Sequence, residues 1–179
     1  MGLDAVELIL GWETAFDLEI SDSEAFTLQT PQMAIDLISA KIGASQTAGI
    51  CPSMRAYHQI RTAFQEILGY QRQEIKLDSK LRELLPKKQR KEAWEIIFNF
   101  MGMPESPEFK FGTGTLFRPI AIRDLVDWAV ARYPGHFITS DERWTHSQVR
   151  CIVRSVIRDV VGQSDFNDNS DFLRDIGIC

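Results

Sequence analysis

The first helix that this sequence predicts is too apolar to be satisfied by one neighbour. From Leu3 to Phe16, the apolar residues Ala5, Leu8, Ile9, Trp12 and Phe16 recur at offsets of three, four and seven, with Asp4, Glu7, Gly11 and Thr14 opposite. A second apolar stripe, Leu3, Val6 and Leu10, runs between these faces, so the helix needs either several neighbours or a ligand. A shorter helix follows, capped by Thr30 and opened by Pro31, running through Met33, Ile35, Leu37 and Ile38 to Gly43. Helices of this length are marginal alone. A head that exposed Trp12, Phe16, Ile35 and Ile38 would aggregate, so it must be covered from elsewhere.

The opposite end offers that cover. Val149, Ile152, Val153, Val156 and Val160 form a helical stripe closed by Gly162, followed by a polar loop and FLRDIGIC. Head and tail can therefore complete one another within one chain, or by exchange of termini between two chains, which would give a swapped dimer or a longer assembly. Arg150, Arg154 and Arg158 lie one turn apart on the tail helix and read as a solvated basic face.

Between the ends, GASQTAGICP (43–52) reads as a small-residue linker with a proline stop. Tyr57, Ile60, Phe64, Ile67 and Leu68 then form a helix closed by Gly69. A polar loop runs to Asp78, and after Leu81, Leu84 and Leu85, Pro86 introduces a helix using Ala93, Trp94, Ile97, Phe98 and Met101. Residues 102–117 are too rich in Gly, Pro and Ser to be helical, and Pro119 opens a last helix with Ile122, Leu125, Val126 and Ala129, ended by Tyr133-Pro134-Gly135. A weak internal repeat links these parts. Pro31 precedes Asp36-Leu37-Ile38 by the spacing at which Pro119 precedes Asp124-Leu125-Val126, and Ile67-Leu68-Gly69, a loop and Ser79-Lys80-Leu81 parallel Val160-Val161-Gly162, a loop and Ser170-Asp171-Phe172. The middle carries the unit in one order, and the ends carry it permuted.

Within residues 1–43, Leu3-Asp4 with Val6-Glu7-Leu8, Phe16 with Glu19-Ile20 and Asp22, then Thr30 and Asp36, form a pattern without a gap. It resembles the second half of an acyl carrier protein, from its modification site through its second, third and fourth helices. Residues 147–177 are similar to the first half of that family, ending in Phe172, Asp175, Ile176 and Gly177, while 53–133 look like a more distant copy. The resemblance implies an all-α fold of two acyl-carrier-like four-helix bundles: one from residues 1–46 plus 144–179, the other from 51–135. In the family, the serine of an Asp-Ser-Leu triplet carries phosphopantetheine. Here the triplet falls on Met1-Gly2-Leu3, and the glycine at the serine position has no hydroxyl for the phosphodiester. The middle copy, near Lys87 and Lys88, also lacks a serine there.

No cofactor is therefore expected, and what the resemblance transfers is recognition. Asp4, Glu7 and Glu13 match acids by which carrier proteins meet basic patches on their enzymes, charges that steer encounter and select partners. Asp4 and Glu7 equally suit a helix N-terminus, so the pattern serves either purpose. The reading is a non-catalytic interaction module. Its alternative is a working acyl or peptidyl carrier modified at an unexpected residue, in fatty acid or polyketide-type biosynthesis.

Charge agrees with a protein partner. The net charge of -5 disfavours nucleic acid, yet residues 1–48 carry eight acids against Lys41 alone while 51–135 carry fourteen bases against ten acids. The densest basic run, Lys87, Lys88, Arg90 and Lys91, sits at a helix start and reads as a solvated turn before a phosphate site. No apolar run reaches the ~18 residues of a membrane span, and MGLDAVELIL lacks a signal peptide's basic start, so a cytoplasmic location is expected. His58, His136 and His146 are dispersed without ligand spacing, no nucleophile and base pair off, and neither a metal site nor an enzyme is expected. Cys51, Cys151 and Cys179 form no disulfide framework and read as reduced thiols. Cys179, last in the sequence, offers a thiol for an acyl group or for pairing across a dimer.

Overall fold

A computed structural model describes residues 2–47, 49–107, 121–138 and 143–178. Among them the chain is all-α, with no strand and only two isolated bridges. The helices are α1 (Leu3–Phe16), α2 (Asp22–Ala25), α3 (Pro31–Lys41), α4 (Pro52–Leu68), α5 (Leu81–Leu84), α6 (Arg90–Met101), α7 (Ile122–Arg132) and α8 (His146–Val161), with a 3-10 turn at Pro134–Phe137. Contacts divide the chain into two units: Met1–Ser53 with Ala129–Cys179, and Met54–Trp128.

In the unit of the two ends, α8 packs against both α1 and α3. The reason is the match of apolar faces: α1 buries Leu8, Trp12, Ala15 and Phe16, α3 buries Ala34, Ile35 and Ile38, and α8 buries Val149, Ile152, Val153, Val156 and Ile157. Trp12, Ile35, Ile38 and Ile152 are at most 1% exposed. Burying each contributes about 1.5–3 kcal/mol relative to leaving it in water. The Trp12 indole N–H donates to the Val153 carbonyl at 3.4 Å. Gly11 permits this approach, because a Cβ there would lie 2.8 Å from Val156 Cγ1. Caps delimit the helices. Thr30 accepts from the Met33 N–H, Thr145 and Gln148 form a reciprocal capping box, and Gly162 closes α8.

The polar loop after α8 returns to the head. The Gln32 N–H donates to the Asp168 carbonyl at 2.7 Å and the Phe172 N–H to the Gln29 carbonyl at 2.9 Å, which ties the loop to the start of α3. The arginine stripe of α8 corrects the expectation of a solvated face. Arg150 and Arg154 both bond the Asp168 carboxylate at 2.5 Å, Arg154 also reaches the Phe166 carbonyl at 2.9 Å, and the guanidiniums of Arg154 and Arg158 lie over the Phe166 ring. The stripe clamps the loop.

The second unit buries Ala56, Ile60 and Phe64 of α4, Leu81 of α5, Trp94, Ile97 and Phe98 of α6, and Ile122 and Leu125 of α7. Tyr57 and Tyr70 fasten its long loop through hydroxyl bonds to the carbonyls of Ile75 (2.7 Å) and Leu84 (2.8 Å). Pro52, read from sequence as a stop, instead opens α4, where a missing N–H costs nothing. The helix introduced by Pro86 begins only at Arg90, since the Gln89 N–H turns back onto the Pro86 carbonyl at 3.1 Å. Pro119 lies outside the described residues, as do residues 108–117 of the predicted irregular stretch.

The repeat has a local structural counterpart. The Lys76 N–H bonds Ser79 Oγ at 2.9 Å while the Ser79 N–H bonds the Lys76 carbonyl at 3.0 Å. Asn167 and Ser170 make the same reciprocal pair at 3.1 and 3.2 Å. Each is followed by a helical turn, Leu84 N–H to the Lys80 carbonyl in one and Asp175 N–H to the Asp171 carbonyl in the other.

Candidate functional site

The head of α1 presents the chemistry singled out in the sequence. Gly2 occupies the N-cap with extended backbone, and its carbonyl accepts the Val6 N–H at 3.3 Å, but no side chain caps the helix. A serine placed there would stand at the first helical turn, where backbone N–H groups and the helix dipole favour an anion such as phosphate. Met1 lies outside the described residues. Next to this position, Asp4 and Glu7 are exposed. So is the second apolar stripe: Leu3 is 82% exposed, Leu10 55% and Val6 42%. The neighbours that this stripe was expected to require are not supplied within the unit. An apolar ridge flanked by carboxylates is left facing solvent.

Glu13 is placed differently. It is half-buried, and its Oε1 accepts the Ile20 N–H at 2.8 Å, so its carboxylate braces the turn between α1 and α2. Lys41, the one base among residues 1–48, is also engaged internally: its ammonium lies 2.8 Å from Glu24 and donates to the Glu19 carbonyl at 3.0 Å. That ammonium, helped by the Ser21 N–H and hydroxyl, holds the Glu24 carboxyl down at about 2. Its charge is thus spent on Glu24, and the carboxylates of Asp4 and Glu7 show no ion pair among the described residues.

Beside the same helix lies a cavity of about 470 Å³, within the size range of small-molecule sites. Leu8, Ile9 and Trp12 of α1 line one side, Phe26 and Leu28 another, and Phe172 and Ile178 of the tail complete it. Phe26 and Leu173, both in its lining, are 73% and 66% exposed. The cavity was not foreseen, because its walls come from both ends of the chain. The residues of α1 that line it, Leu8, Ile9 and Trp12, belong to the stripe read from sequence as its core-facing side.

The structure brings some of the remaining candidates together with new partners. His146 Nε2 stands 3.4 Å from Asp36 Oδ1, an acid neighbour hidden by a separation of 110 residues, while His58 Nδ1 meets Arg61 at 2.7 Å. Among the described residues no group of three or more His, Cys, Asp or Glu is arranged to hold a metal. Lys87 and Lys88 are exposed in the turn before α6, and Lys91 faces Glu95 at 3.9 Å. The structure does bring Cys51 and Cys151 together, with their sulfurs 3.0 Å apart, whereas Cys179 lies outside the described residues. No described helix is long and apolar enough to cross a membrane.

Comparison with known proteins finds a partial likeness. The acyl carrier proteins of Buchnera aphidicola subsp. Acyrthosiphon pisum, strains Tuc7 and APS, are each 54% identical to this chain over 39 residues, 22% of this chain and 49% of the relative. The acyl carrier protein of Buchnera aphidicola subsp. Schizaphis graminum gives the same figures. The chain thus spans about half the length of the curated relatives it matches. No family model and no solved structure matches it. Part of this chain, all-helical in its described residues, is therefore similar to part of an acyl carrier protein.

Proposed function

We propose that the chain is a non-catalytic, acyl-carrier-like interaction module, in which the two ends form a permuted carrier-like unit and the middle a second, degenerate one. The observation that supports this reading is the head of α1: Gly2, which the resemblance aligns with the carrier serine, at the N-cap, followed by Asp4 and Glu7 on an exposed face with Leu3, Val6 and Leu10. Glycine cannot form the phosphodiester, so no prosthetic group is held there. Recognition remains. A partner with a basic patch, such as an enzyme that handles acyl chains, would be steered by the two carboxylates and would cover the apolar ridge.

The test is charge reversal. Asp4→Lys with Glu7→Lys should lower association with such a partner at least tenfold at low salt, mainly through the on-rate, and leave helix content unchanged by circular dichroism. Unchanged binding by the double variant would reject the assignment of this face.

The cavity of about 470 Å³ beside α1 favours a second reading, a working carrier modified elsewhere. Intact mass after co-expression with a phosphopantetheinyl transferase separates the two. The natural chain is expected to keep its mass and Gly2→Ser to gain one phosphopantetheine group. A gain by the natural chain would favour the working carrier, and failure of Gly2→Ser to react would remove the equivalence of Gly2 with the carrier serine.

A further inference from the structure

We propose that Cys51 and Cys151 are a reversible redox-modification site, oxidised to an intramolecular disulfide by exchange with a low-molecular-weight disulfide. Their sulfurs lie 3.0 Å apart although 100 residues separate them in sequence. They need to approach by only about 1 Å to reach bonding distance. The two are unlike in access. Cys51 is exposed at the end of the linker, whereas Cys151 is half-buried on α8, with Ser53 Oγ 3.0 Å from its sulfur.

The backbone that presents Cys51 is held against α8 by several independent contacts, so the pairing is a fixed feature of the fold. The Ser45 N–H donates to the Trp144 carbonyl and the His146 N–H to the Ser45 carbonyl, both at 2.9 Å. Gln148 Nε2 donates to the Ile50 carbonyl at 3.4 Å. Gly49 lies so close that a Cβ there would stand 2.7 Å from Thr145 Oγ1 and 2.9 Å from Gln148 Nε2, so glycine fits there without displacing those side chains.

Access assigns the order of events. The Cys51 thiolate attacks one sulfur of the external disulfide, whose S–S bond breaks and releases one thiol after protonation. Hydrogen bonding with Cys51, reinforced by burial, holds the Cys151 thiol well above its ordinary range, so Cys151 does not begin the exchange. Once Cys51 has become a mixed disulfide that interaction is gone. Cys151 then loses its proton, attacks the Cys51 sulfur and expels the second thiol. In sum, two protein thiols are oxidised and one disulfide is reduced to two thiols. The new bond closes a covalent ring from residue 51 to residue 151 that contains all of Met54–Trp128, joining the two stretches of chain through which that unit is inserted.

The experiment uses the full chain carrying Cys179→Ser, leaving two thiols, equilibrated with reduced and oxidised glutathione over a range of ratios, quenched with acid and weighed without reductant. A monomer lighter by two hydrogen atoms, restored by dithiothreitol and yielding a linked peptide pair spanning 51 and 151, is expected. Its melting temperature should exceed that of the reduced form by roughly 10 °C, given the long loop closed. Cys151→Ser in the same background should instead stop at a single glutathione adduct, and Cys51→Ser, left with the half-buried thiol alone, should form its adduct much more slowly. A stable double adduct, a disulfide-linked dimer, or unmodified thiols at a ratio that oxidises a free dithiol would each overturn the proposal.

Discussion

Replacing Trp12 with alanine is expected to lower the stability of the unit built from the two chain ends by about 3–5 kcal/mol, as for other large-to-small core changes. The side chain is 1% exposed and belongs to the head, but its partners belong to the tail: its indole N–H reaches the Val153 carbonyl at 3.4 Å and its ring lies 6.0 Å from that of Phe172. Truncation therefore opens a void at the seam between ends and removes the indole bond to the Val153 carbonyl. Against a typical total of about 5–15 kcal/mol, the loss would bring the unit close to unfolding at ordinary temperature. Urea unfolding followed by near-UV circular dichroism measures it. Trp12→Phe keeps most of the volume and should cost about 1–2 kcal/mol, chiefly for the lost hydrogen bond. A cost below about 1 kcal/mol for the alanine variant would mean that head and tail do not share this core.

What could be read in advance, and what could not, follows from how far apart the interacting residues lie. The helices α1, α3 and α8 announce themselves because each repeats its apolar positions every three or four residues over at least three turns. The helix α2 has four residues, too few for a period, so only the resemblance implied a helix between α1 and α3, although Ser21 with Glu24 three residues on is a capping-box pattern, and both halves of that box form. Pro52 was misread for a related reason: a proline marks a helix boundary without saying on which side the helix lies. The Ser79 and Ser170 turns were legible as a repeated triplet, since a turn bond spans only three residues. Pairings across 100 residues or more, Cys51 with Cys151 and His146 with Asp36, leave no periodic trace. The exposed stripe Leu3, Val6 and Leu10 was legible as a surplus. Its meaning was not, because a surplus records that something must cover the helix and not what does.

The arginine stripe makes the same point with a measurable consequence. Charge spacing on α8 was visible, but the partner that turns the stripe into a clamp, Asp168, sits in a polar loop. Asp168→Asn is expected to cost about 2 kcal/mol, most of it from the bond to Arg154, whose side chain is 19% exposed. Arg150, 55% exposed, contributes only a few tenths of that. Burial would raise the Asp168 carboxyl, but the bonds from Arg154 and Arg150 outweigh it and hold the group below its ordinary 3.8. With the folded-state value below the unfolded one, the carboxylate stabilises the fold fully above the unfolded value and loses that effect as pH falls through the folded one. The gap in unfolding free energy between the natural chain and Asp168→Asn should therefore be flat from about pH 7 to 5 and shrink below about pH 4. Chemical denaturation across that range tests it. A gap that persists undiminished in acid would assign the effect of the substitution to shape and not to charge, and the clamp would then be a packing contact that happens to be ionic.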